Sequence, residues 1–141
     1  MEGQSAPAPR VLFLCTHNAG RSQMAAGFMR AVAGGRVEVF SGGSEPADTV
    51  NSVAAAAMAE AGIDISEETP QRWTDDEVRG ADVVVTMGCG DTCPIYPGPS
   101  YVDWGVEDPA GRSVEDVIPI RDDLERRVRG LLSELGVRAR D

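Results

Sequence analysis

The stretch RVLFLCTHNAGRSQMAAGFMRAVA, residues 10–33, decides the fold. Arg10 to Leu14 is a short apolar run rich in strand formers, and it runs directly into a thiol, Cys15. From Ser22 to Ala33 the apolar residues Met24, Ala25, Phe28, Met29 and Val32 recur at helical spacing, and Gly34 and Gly35 stop the pattern. Between strand and helix lie only small or polar residues and Arg21. The segment therefore reads as strand, tight turn, helix, with a cysteine at the strand's carboxyl end.

The rest of the chain repeats that alternation. VEVF (37–40) reads as a second strand, SGGSEP (41–46) as a loop, and VNSVAAAAMAEAG (50–62) as a helix capped by Asn51 or Ser52 and ended by Gly62. Thr74 to Gly80 is a further short helix. ADVVVTM (81–87) is the clearest strand, because four consecutive apolar residues suit a parallel strand buried on both faces. Gly88 to Arg112 shows no periodicity apart from a short strand around Tyr101 and Val102, and a loop of that length is usually functional or disordered. A closing helix carries the stripe Val117, Ile120, Leu124, Val128, Leu131 and Leu135, and Pro119 is expected to begin it or kink it. The order β-α-β-α-β with apolar strands argues a three-layer α/β fold with a parallel sheet. Ligands of such sheets bind beyond the carboxyl ends of strands, where Cys15 and Cys89 both fall.

At 141 residues, 42% hydrophobic and 26% charged, the chain suits one globular domain. The expected division is a flexible segment 1–9, a domain 10–137 and a tail 138–141. The opening MEGQSAPAP lacks the features of a signal peptide, and no apolar stretch approaches the roughly 20 residues of a membrane span. A cytoplasmic setting follows as the expectation, in which three cysteines read as reactive thiols or metal ligands rather than a disulfide framework. Formal net charge is -10, with all 13 basic residues arginine, which disfavours nucleic acid, anionic membranes and self-association, so a monomer is expected. A locally positive pocket can still take a small anion.

The turn after Cys15 has the makings of such a pocket. Thr16, His17, Asn18, Ala19 and Gly20 can turn backbone N–H groups inward, and the helix starting near Arg21 adds its positive end at the same point. Arg21 offers a forked guanidinium matched to two oxygens of a tetrahedral oxyanion. Asn18 tolerates a left-handed backbone, and Ser22 can donate a hydrogen bond to the sulfur. Helix N-termini and adjacent cations favour a thiolate, so Cys15 is expected to act as a nucleophile held at an oxyanion cradle.

Three more residues belong to the chemistry. Asp108 precedes Pro109, which stiffens its backbone in an extended form, and a carboxylic acid there can protonate a departing oxygen. Glu107 and Asp103 are weaker rivals for that role. Cys89 and Cys93, in GCGDTCP (88–94), follow the third strand. A closed zinc site usually takes four nitrogen or sulfur ligands, and a single histidine (His17) with three cysteines disfavours one. A Cys89–Cys93 bridge would span about 13 Å in an extended chain, against a limit of about 7 Å, so it needs a distorted turn, which the flanking glycines permit. Such a bridge is easily reduced. His17 is taken as a wall of the loop, and Trp73 and Trp104 as packing residues.

VLFLCTHNAGRSQMA, ADVVVTMGCGDTCP and DWGVEDPAG together resemble the arsenate reductases built on the low-molecular-weight protein tyrosine phosphatase fold, from about Val11 to the last helix. The phosphate loop is shared with the phosphatases, and the extra cysteines after the third strand distinguish the reductases. The resemblance implies a flavodoxin-like four-stranded parallel sheet of order 2-1-3-4 and a relay with no cofactor. In it Cys15 attacks arsenate held by Arg21 and the loop, Asp108 protonates the leaving oxygen, Cys89 forms a disulfide with Cys15, and Cys93 resolves it. Thioredoxin, or a low-molecular-weight thiol with a glutaredoxin-like protein, would restore the thiols. Three departures stand out. The spacing from Cys89 to Cys93 is shorter than in thioredoxin-linked members. Ala26 and Gln71 stand where some relatives bind a monovalent cation through carboxylates, so no metal site is expected. Ala110 and Gly111 replace the tyrosines of the phosphatases. Two other readings stay open on the residues alone: a phosphatase needing only Cys15, Arg21 and Asp108, and a non-catalytic anion or metal sensor.

Overall fold

The computed structural model describes residues 8–88 and 95–139. Its elements, in chain order, are β1 (Arg10–Cys15), α1 (Arg21–Ala33), β2 (Glu38–Gly43), α2 (Ser52–Glu60), α3 (Asp75–Gly80), β3 (Val83–Met87), β4 (Ser100–Asp103) and α4 (Val114–Glu134). The four strands form one parallel sheet in the order β2-β1-β3-β4. This is the expected fold and strand order.

Alternation along β1 shows why the sheet is buried on both sides. Val11, Phe13 and Cys15 face one way and pack with Met24, Phe28, Met29, Met58, Leu124 and Val128 of α1, α2 and α4. Leu12 and Leu14 face the other way, against Trp73, Val78 of α3 and Val84 of β3. Both tryptophans are packing residues: Trp104 is buried with its ring 5.9 Å from Phe13, and Trp73 is buried on the opposite face.

Helix boundaries follow local chemistry. Gly34, with φ 58°, ends α1 by donating its N–H to Arg30 O. Asn51 caps α2 through Oδ1, which accepts from the N–H groups of Val53 and Ala54. Thr74 and Glu77 form a reciprocal capping box on α3. Ser113 caps α4, which therefore starts at Val114 and not at Pro119. Pro119 sits inside the helix near its start, where its missing N–H leaves the Glu115 carbonyl without its usual partner; the Ser113 cap upstream sets the start instead.

The second correction concerns SGG (41–43). Read as loop because of its glycines, it is the carboxyl half of β2, in register with Phe13, Leu14 and Cys15. The glycines are there for close approach. A Cβ on Gly42 would lie 2.8 Å from the Trp73 backbone nitrogen, and one on Gly43 would lie 2.6 Å from Thr16 O.

Candidate active site

β1 delivers Cys15 between Gly43 of β2 and Met87 of β3, with the residue only 3% exposed. The loop that follows is buttressed from outside. The carbonyls of Thr16, His17 and Ala19 accept N–H groups of Glu45 at 2.8 Å, Ala47 at 3.0 Å and Asn51 at 2.9 Å. Among the described residues, no backbone N–H from His17 to Gly20 donates to a protein acceptor. With the carbonyls tied outward, the N–H groups of His17, Ala19 and Gly20 are left for an anion. α1 adds its N-terminus to them: Gly20 at its N-cap supplies no side-chain cap, and its first turn carries no acid. α2, α3 and α4 are all capped by side chains. An uncapped, acid-free N-terminus is where an anion gains most.

Asn18 is the hinge of the loop. Its φ of 51° lies in the left-handed region, and it is fully buried. Its Nδ2 donates to Ser22 Oγ at 2.7 Å, and Ser22 Oγ lies 2.9 Å from Cys15 Sγ. A thiolate can only accept, so in that state Ser22 donates to the sulfur while accepting from Asn18. Asn18 Oδ1 accepts from the Gln71 N–H at 2.9 Å and from Gln23 Nε2 at 3.1 Å.

Arg21 is nearly buried, its side chain 12% exposed, and donates from Nη1 to Val106 O at 3.3 Å. The backbone of Gly88, just past β3, lies against its guanidinium. Arg21 Nη2 stands 3.5 Å from Asp108 Oδ2. With that carboxylate half exposed, such a pair contributes about 1 kcal/mol or less, so the guanidinium is easily redirected to a bound anion. Asp108 is held by its own loop. Its Oδ1 accepts the Ala110 N–H at 3.0 Å, and its carbonyl accepts Arg112 Nε–H at 2.9 Å.

These groups surround one small cavity of about 40 Å³. Cys15, Arg21 and Asp108 line it with His17, Ala19 and Gly20 of the loop, and Asn51 and Ala110 complete the wall. His17 is anchored through Nδ1 to Glu45 O at 2.9 Å, as a wall residue should be. Thr16, Asn18 and Ser22, expected among the oxyanion-binding residues, do not line the cavity. Thr16 turns its hydroxyl to Gly88 O, and the other two brace the loop from behind. Asp103 and Glu107 are engaged elsewhere, with Thr86 and Arg112, which leaves Asp108 as the carboxylate at the site. Cys89 and Cys93 lie outside the described residues. Gln23, Asn51 and Arg112 were missed as site residues, since a glutamine in a helix, a helix cap and a surface arginine carry no sequence signal of where their side chains end.

The profile of the low molecular weight phosphotyrosine protein phosphatases matches residues 10–140. The chain belongs to that family. Several of its relatives are named as arsenate reductases. An arsenate reductase 1 of Staphylococcus epidermidis is 38% identical over 122 residues, covering 84% of this chain and 91% of the relative. The glutaredoxin arsenate reductase of Synechocystis sp. is 36% identical over 133 residues, covering 89% and 98%. Among solved structures, the thioredoxin-dependent arsenate reductase of Corynebacterium glutamicum superposes with a TM-score of 0.81 at 41% identity. That match covers 94% of this chain and 64% of the other, so this chain spans under two thirds of the corynebacterial protein. The expectation drawn from the three sequence stretches, a reductase on the phosphatase fold, holds at the level of the family and its fold. Among the described residues no helix is long and apolar enough to cross a membrane.

Proposed function

We propose that the protein reduces arsenate to arsenite by a thiol relay. The observation that carries this reading is the convergence of Cys15, Arg21 and Asp108 on one anion-sized cavity at the uncapped start of α1. The Cys15 thiolate attacks arsenic, forming a sulfur–arsenic bond, while Asp108 gives its proton to the oxygen that departs as water. Arg21 and the loop N–H groups hold the remaining oxygens through the change. Cys89 then attacks the Cys15 sulfur. The electron pair of the sulfur–arsenic bond leaves with arsenic, which is reduced to arsenite, and a Cys15–Cys89 disulfide forms. Cys93 attacks Cys89, freeing Cys15 and leaving a Cys89–Cys93 disulfide for an external dithiol.

Gly88 supports the assignment of Cys89 as the second thiol. Its carbonyl accepts the Thr16 hydroxyl and its backbone lies against Arg21, so the described chain borders the site at the residue that precedes Cys89 in sequence. The reductant we assign is a thiol–disulfide protein. Thioredoxin is the first candidate and a glutaredoxin-like protein with a low-molecular-weight thiol the second, in keeping with the names of the two relatives above.

The family profile motivates a second reading, hydrolysis of phosphate monoesters through a phosphorylated Cys15. Ala110 argues against it as the principal activity, because among the described residues no Phe, Tyr or Trp lines the cavity to receive an aryl phosphate. Cys89→Ser separates the two. Arsenite formation with thioredoxin and its reductase should vanish in Cys15→Ser and in Cys89→Ser, while any hydrolysis of an aryl phosphate should survive in Cys89→Ser alone. Arsenite formation that persists in Cys15→Ser would sink the reductase reading.

A further inference from the structure

We infer that Gln23 is a positioning residue for the oxyanion cradle, acting through Asn18. Gln23 sits in the first turn of α1, 2% exposed, and does not line the cavity. Its Nε2 lies 3.1 Å from both Asn18 O and Asn18 Oδ1, so both amide hydrogens are directed at one residue.

The orientation of these two amides is fixed by what surrounds them. Gln71 N–H is a backbone donor, so the Asn18 atom that receives it must be Oδ1. Asn18 Nδ2 then faces Ser22 Oγ. Gln23 consequently meets two acceptors, and only its NH₂ satisfies both. Its Oε1 is left buried with no partner among the described residues. Burying Oε1 without a partner is unfavourable, and the amide is kept because an apolar side chain in its place would leave the buried Asn18 carbonyl without its donor. What the amide does that a hydrophobic group could not is hold the Asn18 carbonyl and side chain together while its backbone stays at φ 51°. That conformation turns the loop between His17 and Gly20 and keeps Asn18 on Ser22, and Ser22 on the Cys15 sulfur. Gln23 thus reaches the nucleophile through two intermediaries.

The inference rests on the reading of this loop as an oxyanion site, and its test does not require turnover. Arsenate bound in the cradle should protect Cys15 from alkylation by iodoacetamide, a neutral reagent. Both shuttle cysteines are replaced by serine, in the otherwise full chain, so that only Cys15 reacts. In that background, Gln23→Met should keep a cooperative thermal transition and need about tenfold more arsenate for half-protection, the scale of one lost hydrogen bond. Ser133→Ala, on the exposed face of α4 away from this network, serves as the control; it should protect as the parent does. Gln23→Glu sets a carboxylate against the same two acceptors, and protonation returns one donor. Its deficit relative to the parent, measured at each pH, should shrink as pH falls, which a loss of packing alone would not produce.

Equal arsenate requirements in the parent and Gln23→Met would overturn the inference, as would a pH-independent deficit in Gln23→Glu should Gln23→Met fail to fold. Arsenate that fails to protect even the parent would instead overturn the oxyanion site itself. A deficit in Gln23→Met, found alongside a chain with all three thiols intact that turns over no arsenate with any thiol reductant, would leave the inference standing and the proposed reaction refuted.

Discussion

Gly20 and Pro109 are packed so closely that a Cβ on Gly20 would stand 2.7 Å from the proline ring. This contact joins two parts of the site that are distant in sequence. Gly20 is the N-cap of α1 at the end of the anion loop, and Pro109 follows the acid Asp108. The loop carrying Asp108 therefore rests directly on the loop that would hold the substrate.

Gly20→Ala tests that coupling. The methyl group must push the Pro109 ring away, and Asp108 moves with it. Displacement of a catalytic group by about 1 Å can cost roughly 100-fold in rate, so turnover should fall about 10- to 100-fold. Stability should change by no more than the about 1–3 kcal/mol of an overpacked contact. The comparison of kcat with melting temperature separates the two, and a variant with unchanged kcat would show that Asp108 is positioned independently of the anion loop.

Gly43→Ala acts on the opposite side of the nucleophile. Its Cβ would meet backbone atoms of the loop, Thr16 O at 2.6 Å and Asn18 N at 2.9 Å, and backbone cannot swing aside as a side chain can. The expected result is a loss of about 1–3 kcal/mol together with weaker oxyanion binding, measured by denaturant unfolding and by arsenate protection of Cys15. Substitution at Gly105, where a Cβ meets no atom within 4 Å, should leave both measurements unchanged.

Gly43 also shows where sequence reading stops. The strand–turn–helix unit from Arg10 to Ala33 was legible because a continuous apolar run of strand formers, helical spacing and a glycine stop agree within one short segment. Cys15, Arg21 and Asp108 followed from the chemistry of an anion loop and an acid before proline. SGG was misread, because glycine marks both turns and close approach, and only the three-dimensional neighbour distinguishes them. Of the two roles open to Pro119, beginning the helix or lying near its start, only the second is compatible with the structure, because the Ser113 cap lies upstream of the apolar stripe used to find the helix. Gln23 carried no signal at all. A buried amide is recognisable only once its acceptor, here a carbonyl held in a left-handed turn, is in place.

Tyr96 gives a pH-dependent prediction away from the site. Its hydroxyl donates to Asp75 Oδ1 at 2.9 Å, its backbone N–H donates to Tyr101 Oη, and Arg79 stacks 4.5 Å over its ring. The hydrogen bond to Asp75 holds the phenol above its ordinary value of 10.0, with the desolvation of its surroundings acting in the same direction. A raised folded-state value means that folding favours the neutral phenol. The stabilisation is therefore fully present below the unfolded value and is lost as pH rises through the folded one. The chain has two tyrosines, so phenolate absorbance should resolve one group titrating above the usual range, absent in Tyr96→Phe. Normal titration of Tyr96 would mean that its link to α3 does not form in solution.

The measurement that tests the central claim most directly is arsenate-dependent NADPH oxidation with thioredoxin and thioredoxin reductase, comparing wild type with Cys93→Ser. The relay predicts sustained turnover in wild type. In Cys93→Ser it predicts about one equivalent of arsenite and then arrest as the Cys15–Cys89 disulfide, since no third thiol remains to resolve it. Equal sustained turnover in both proteins would contradict the account, because Cys93 would then have no part in the reaction.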